Sequence, residues 1–332
     1  MLSPTTMSLR VSALVVNYEQ RDLLHSCLES LQEALRGVEG GHEIIVVDNG
    51  SSDGSSAMVG AQFPEARLIE LSANSGFAGG VSVGIRHAAG DWILCINNDA
   101  TVAPDAIEQL LRAAESGGDA IGSAAAQMVF ADQPGIINSA GIVVDKLGVA
   151  SDRLLGEPVD ASETTPVEVF GASGGAALYR RAMLEEVPFD ESFFAYFEDV
   201  DVAWRARMRG WRSVYVPTAV VRHHHSRTAV HGSPFKYYWT GRNRIRVLAR
   251  NATAGQLVRF GLFMLAFDLA YVGFVMVRDR SLAPVRGRID GLRSWRADRR
   301  AGAAYRGDVD LPVFLGLRAA LRRAGHRQKS VS

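Results

Sequence analysis

The stretch WILCINNDATV, Trp92 to Val102, decides how this chain is read. An apolar run with the pattern of a buried strand ends in two amides and a carboxylate, Asn97, Asn98 and Asp99. Buried polar groups cost free energy unless they are paired, so the cluster either caps the next element or serves a ligand at the strand's end.

Upstream, short β-branched runs alternate with helical spacing. VSALVVNY reads as a first strand, followed by Leu24, Leu28, Leu31 and Leu35 on one helical face. EIIVVDNG and ARLIEL read as second and third strands, WILCIN as the fourth, with helices over residues 55–62, 81–89 and 105–116. This βαβα order predicts an α/β fold with a mostly parallel sheet flanked by helices, in which ligands bind beyond the carboxyl ends of the strands. Those ends carry Asn17 and Tyr18, then Asp48, Asn49 and Gly50, then SANSGFAGG with Asn74 and Gly76, then Asn97, Asn98 and Asp99. Singly, Asp48 in DNGSSDGS reads equally as an Asx turn with a helix cap, and the glycines as a turn without dinucleotide or P-loop spacing. Four polar strand ends at one rim point to a binding site.

Beyond Val129 a Gly-, Pro- and Asp-rich stretch reads as hairpins and loops over that rim. VFGASGGAALYRRAML returns to a strand and a helix start, with small residues where backbone can approach a ligand. In FFAYFEDVDVAWRARMRGW, aromatics lead into Glu198 and Asp199 at the start of a helix that ends near Gly210. A helix dipole favours acids in the first turn by about 0.3–1 kcal/mol, so capping alone accounts for Glu198, Asp199 and Asp201, and the same dipole is expected to keep Asp199 ionised and weakly basic. Along RHHHSRTAVH, alternate strand residues share a face, which groups His223 with His225; an exposed loop is the plain alternative.

Composition sets outer bounds. With 332 residues, 47% of them hydrophobic, the chain can bury a full core and is not of the disordered class. Its two cysteines, Cys27 and Cys95, argue against a disulfide framework or a cysteine-built metal site and fit a reducing compartment. MLSPTTMSLR lacks the apolar core of a signal peptide, so a cytoplasmic location is expected. Net charge is zero, yet residues 278–332 hold 14 Lys and Arg against 5 Asp, a surplus of +9 balanced by −9 in the rest. Such a tail faces an anionic surface or is a solvated helical face.

The motifs VVNY, VVDNGSSDGS, NSGFAGG, INNDA, GASGGAALYRR, FFAYFEDVDVAWRARMRGW, a histidine after YVPTAVV, and YYWTGRN follow one another from Val11 to Asn251. In that order the chain resembles the family 2 inverting glycosyltransferases of the GT-A fold, most closely the bacterial rhamnosyltransferase-like branch. The resemblance implies a GT-A domain over residues 9–232; residues 233–332 are then read, from their apolar run and basic tail, as a helical, membrane-associated region. It implies a nucleotide-diphosphate sugar donor, dTDP-rhamnose favoured and a UDP-sugar next, a divalent Mn²⁺ or Mg²⁺ ion, and displacement with inversion. By the same resemblance Asp99 and His223 hold the metal, and Asn17, Asp48, Asn74, Gly76, Asn98 and Arg242 contact the donor. Asp199 is then the base and Glu198 orients the acceptor. Asn97 replaces an acid of the family's metal motif, which weakens the site for a hard cation. Arg242 and Asn243 pack near the active-site lid, with helix capping as the structural reading. The nearest other classes are a sugar-1-phosphate nucleotidyltransferase, whose glycine- and arginine-rich N-terminal signature is missing, and a non-catalytic sugar-nucleotide binder, against which Asp99 and Asp199 count.

FGLFMLAFDLAYVGFVMV, Phe260 to Val277, is apolar on every face apart from Asp268 and as a helix spans roughly 27 Å, near the lower limit for a bilayer. An acid at its middle weakens a crossing. An interfacial or re-entrant helix, or a homodimer contact, fits as well. With the basic tail it is expected to anchor the protein at the inner face of the cell membrane, near a glycan or polyprenyl-linked acceptor; nucleic acid is not an expected partner.

Overall fold

The computed structural model describes residues 9–224, 233–305, 307 and 309–312. The first half alternates as expected: β1 Val11–Asn17, α1 Arg21–Leu35, β2 His42–Asp48, α2 Ser55–Gln62, β3 Arg67–Glu70, α3 Gly76–His87 and β4 Trp92–Asn97. Every residue of β1 is buried, as a strand covered by helices on both faces requires. On one side α1 lays Leu24, Leu28, Leu31 and Leu35 into the core. On the other α3 begins at Gly76, five residues before the expected start. Its glycines are not a turn: a Cβ on Gly84 would lie 2.1 Å from the Leu14 side chain, so their lack of bulk seats the helix on β1.

The second half adds β5 Ala100–Val102, α4 Ala106–Ser116, β6 Ile121–Phe130, β7 Ile137–Ser139, β8 Ile142–Val144, β9 Ala150–Asp152, β10 Val167–Val169, β11 Ala176–Arg180, α5 Arg181–Glu186, α6 Glu198–Met208 and β12 Arg212–His223. The sheet runs β10-β12-β6-β11-β4-β1-β2-β3, with β5 on β12 and β7 on β6. From β4 to β3 the pairs are parallel. β11 then enters antiparallel between β4 and β6, and β6 pairs parallel with β12. The central sheet flanked by helices is the α/β fold read from the sequence, with antiparallel β11 separating the N-terminal parallel strands from the parallel pair β6 and β12.

Three helices follow: α7 Pro234–Asn251, α8 Ala254–Asp279 and α9 Ala283–Ala301. They are joined to the rest of the molecule by buried ion pairs. Asp201 of α6 accepts from Arg205 and from Arg250 of α7, and Asp298 of α9 accepts from Arg246 and Arg250. Asp201 is thus a buried ionic anchor rather than a cap. α8 rests one face on Leu147, Val149, Leu248 and Trp295. Its Asp268, 7% exposed, is paired with Arg244 of α7 and Arg288 of α9.

Candidate active site

Register brings the polar strand ends into line. Asn17 stands opposite Asp48, and Val16 opposite Asn97, which leaves Asn98 beside Asn17. The Asn98 amide donates to Asn17 Oδ1 at 2.7 Å, and Asn17 Nδ2 donates to Asp48 Oδ1 at 2.9 Å. Asp48 also accepts from the Ser51 amide and hydroxyl at 2.8 and 2.7 Å. This aspartate closes the turn at Ser51, without capping α2, and also ends the hydrogen-bonded line across three strands. Asn49, not singled out from the sequence, ties the rim to the next loop, accepting from the Ser75 hydroxyl at 2.8 Å and donating to the Gly76 carbonyl at 3.0 Å.

Asp99, 3% exposed, meets His223 Nε2 through Oδ1 at 3.1 Å. β12 pairs antiparallel with β5, setting His223 opposite Ala100 and so beside the aspartate. The other ring nitrogen lies 3.0 Å from Asn138 Oδ1 of β7, a partner the sequence offered no motif for. His225 lies outside the described residues. Among the described residues no group of three or more His, Cys, Asp and Glu side chains is placed to hold a metal ion.

The loop before α6 is strained. Phe194, Tyr196 and Phe197 have φ of 64, 68 and 69°, values that cost non-glycine residues about 1–3 kcal/mol each. Contacts from α3 and α7 hold it. Gly76, φ 75°, lies beneath Phe194, where a Cβ would come 2.3 Å from the Phe194 carbonyl oxygen. The Ala78 amide donates to that carbonyl at 3.0 Å. From α7, fully buried Asn243 donates through Nδ2 to the carbonyls of Phe193, Ala195 and Tyr196 at 2.8, 2.9 and 2.8 Å. The Phe194 ring stacks on Trp239 with centroids 4.7 Å apart.

This loop delivers Glu198 and Asp199. Asp199 accepts from the Gly174 amide at 3.0 Å and from the Val200 amide at 2.8 Å. Burial nevertheless raises its pKa from 3.8 to about 6, opposed by these amides and assisted by the negative Asp152 of β9. The expectation of a weak base held ionised by the helix dipole is therefore corrected: desolvation outweighs the dipole. Burial and the adjacent Asp199 push Glu198 well above the ordinary carboxylate range, and its Oε2 has no hydrogen-bond partner among the described residues.

The remaining expected donor contacts fall as follows. Asn74 is exposed at the loop mouth and accepts from the Gly76 amide at 2.8 Å. Gly76 itself is buried under Phe194, where it seats the loop that leads to Glu198 and Asp199. Arg242 donates through Nη1 to the Ser192 carbonyl and to Asn243 Oδ1, both at 2.9 Å, and its guanidinium lies over Trp239.

The sequence pattern of Glycosyl transferase family 2 matches residues 12–188, more than half of the chain. The chain belongs to this family. Among its relatives, the N-acetylglucosaminyl-diphospho-decaprenol L-rhamnosyltransferase of Mycobacterium tuberculosis is 30% identical over 207 residues, 54% of this chain and 66% of the relative. The match thus spans just under two thirds of that relative's length. Two solved glycosyltransferases share the fold. GalNAc-T7 with UDP, GalNAc and Mn²⁺ superposes with a TM-score of 0.57 at 16% identity, over 74% of this chain and 48% of that one. S. aureus TarS 1–349 with UDP-GlcNAc gives 0.55 at 15%, over 87% and 81%. The architecture is that of GT-A glycosyltransferases with a helical region behind it.

Proposed function

We propose that this family 2 glycosyltransferase moves a sugar, rhamnose favoured, from a nucleotide-diphosphate donor to a hydroxyl of a glycan or polyprenyl-linked acceptor, with inversion and with help from a divalent ion. The observation that carries this reading is a bridge of two glycines. The Gly175 carbonyl accepts from the Asn97 amide at 3.0 Å, while the Gly174 amide donates to Asp199 at 3.0 Å. The end of β4, two residues before Asp99, and the helix start bearing Asp199 are therefore tied to the same dipeptide.

Asp99 and His223 suit Mn²⁺ or Mg²⁺: they offer one carboxylate oxygen and one imidazole nitrogen on a single contact and leave other positions to phosphate oxygens and water. Such an ion, when bound, supplies charge neutralisation to the leaving diphosphate. Asn17, Asp48 and Asn98 form a pre-arranged line for the nucleoside, with Asn74 and Arg242 at the diphosphate side. Asp199 accepts the acceptor hydroxyl's proton as that oxygen bonds to the anomeric carbon and the carbon–diphosphate bond breaks on the opposite side. Glu198, whose carboxyl burial makes harder to ionise, hydrogen-bonds the acceptor. The mycobacterial relative is named for a decaprenol-linked sugar, which supports a lipid-linked substrate and hence work at a membrane, here its cytoplasmic face. Residues 9–232 then carry the chemistry and 233–332 the membrane side.

The test is transfer by purified full chain to a short-chain polyprenyl-diphosphate N-acetylglucosamine, comparing dTDP-rhamnose with UDP-sugars, with and without Mn²⁺. The reading expects a product of inverted anomeric configuration by NMR coupling constants. A retained configuration rejects the mechanism, and donor binding without transfer or hydrolysis rejects the enzyme.

A further inference from the structure

We propose that the outward faces of α8 and α9 form a lipid-docking surface that lies in the plane of an anionic bilayer and does not cross it. The inference deepens the membrane-side reading above and rests on it for the source of the acceptor. Its tests need neither donor nor acceptor, so its failure is distinct from a failure of transfer.

α8 is long and apolar enough to cross a membrane, with a mean hydropathy of 2.1 and 17% of its apolar window buried. Its two faces differ. The inner one, through Met264, Asp268 and Val275, is buried against the protein. On the outer one Val258 is 88%, Leu262 82%, Leu269 63% and Val277 84% exposed. Between Arg259 and Arg278 that outer face carries no charge over 18 residues, about 27 Å of helix. An apolar stripe of this length is larger than a water-facing helix ordinarily shows.

Asp268 decides the orientation. Arg288 of α9 donates to it through Nε at 2.8 Å and Nη2 at 2.6 Å, and Arg244 of α7 through Nε at 3.2 Å. Threading α8 through a bilayer would strip this carboxylate from both arginines and leave three charges unpaired. Lying flat keeps all of them inside the protein.

The neighbouring surface names the occupant. Leu282, Arg286, Ile289, Arg293, Arg296 and Arg300 recur every three or four residues along the exposed side of α9. Apolar residues that enter the acyl boundary, rimmed by arginines that meet phosphate, are the pattern of an interfacial helix on anionic lipid. A second copy of the chain would bring the same arginines to the same seam.

The experiment uses full-length protein with single spin labels at Leu262→Cys, Leu269→Cys and Val277→Cys; Cys27 and Cys95 are buried, and burial raises both thiol pKa values, so they remain unlabelled. On phosphatidylglycerol vesicles the three labels are expected at one shallow depth. Vesicle flotation should weaken with added salt, on phosphatidylcholine alone, and by about tenfold or more in Leu262→Glu/Leu269→Glu. A steady change of depth from Leu262 to Val277 would establish a crossing and overturn the proposal. So would labels immobilised without vesicles in a species of twice the mass, which would make the face a homodimer contact, or full-length protein that does not float at low salt.

Discussion

Asn243 holds Tyr196: its buried amide nitrogen donates to the Tyr196 carbonyl at 2.8 Å, two residues before Glu198. Two N–H protons serve three carbonyls there, so one side chain on α7 sets the path of a loop with three residues at positive φ. Asn243→Ala should leave carbonyls unpaired and cost about 1–3 kcal/mol of stability. It should also lower kcat about 10- to 100-fold with donor KM nearly unchanged, because the base loses its place while the nucleoside line does not. Calorimetry with steady-state kinetics checks both; an unchanged kcat would reduce Asn243 to a structural role.

The Asp199 pKa of about 6 carries two consequences. A base must be unprotonated, so kcat/KM should rise with pH through a limb near 6 instead of one near 4. The folded state also binds this proton more tightly than the unfolded chain. Its effect on stability is therefore most favourable below pH 3.8 and is lost as pH rises to about 6. Asp199→Asn should accordingly reduce turnover about 10²- to 10⁴-fold while raising stability at pH 7.5 by about 1–3 kcal/mol. A variant that is inactive and less stable at that pH would contradict the desolvated-base assignment.

Glu198→Gln should act on the acceptor: its KM rises and kcat changes less, since a neutral amide preserves size and one donor. The pair of turnover numbers is decisive. If Asp199→Asn keeps most activity and Glu198→Gln loses it, the base is the neighbour.

At the metal pair, Asp99→Ala should abolish Mn²⁺-stimulated donor binding, measured by calorimetric titration, with the fold retained by circular dichroism. Asn138→Leu leaves both proposed ligands in place but frees the imidazole to turn. Removing such an outer partner weakens metal binding about 10- to 100-fold. Equal metal affinity in Asn138→Leu and wild type would mean that His223 is oriented without Asn138, by partners that include Asp99 and Asn97.

Asp268→Ala removes one charge from a buried trio with Arg244 and Arg288. Two uncompensated cations should then cost about 3–5 kcal/mol, seen as a lowered denaturant midpoint. A neutral outcome would show that these arginines reach solvent.

The N-terminal half of the fold was legible because β1 through β4 are apolar runs whose partners are near in sequence and whose ends share one register. Asn17, Asp48 and Asn98 could be grouped for the same reason. What escaped depends on distant packing. Gly76 looks like a loop residue until Phe194 is laid over it. Asn138 belongs to no motif, yet it meets His223 across 85 positions. The basicity of Asp199 was misjudged because a helix dipole is written in local sequence, whereas burial and the approach of the negative Asp152 are not. Asp268 reads as a blemish in an apolar run, and only the third dimension supplies its arginines.

The Arg250 guanidinium has one further consequence. It grips Asp201, one helical half-turn from Asp199, and Asp298, on the helix whose other side carries the arginine stripe. The proposed base and the proposed lipid-docking surface are thus ends of one gauge. With the gauge seated on headgroups, Asp199 stands at a set altitude above the phosphate plane, and only hydroxyls displayed at that altitude come within reach. Choice of linkage would then be a matter of elevation as much as of pocket shape: lengthening the acceptor by one sugar beneath the reacting residue should cost activity on vesicles and cost none in detergent-free solution with a water-soluble acceptor.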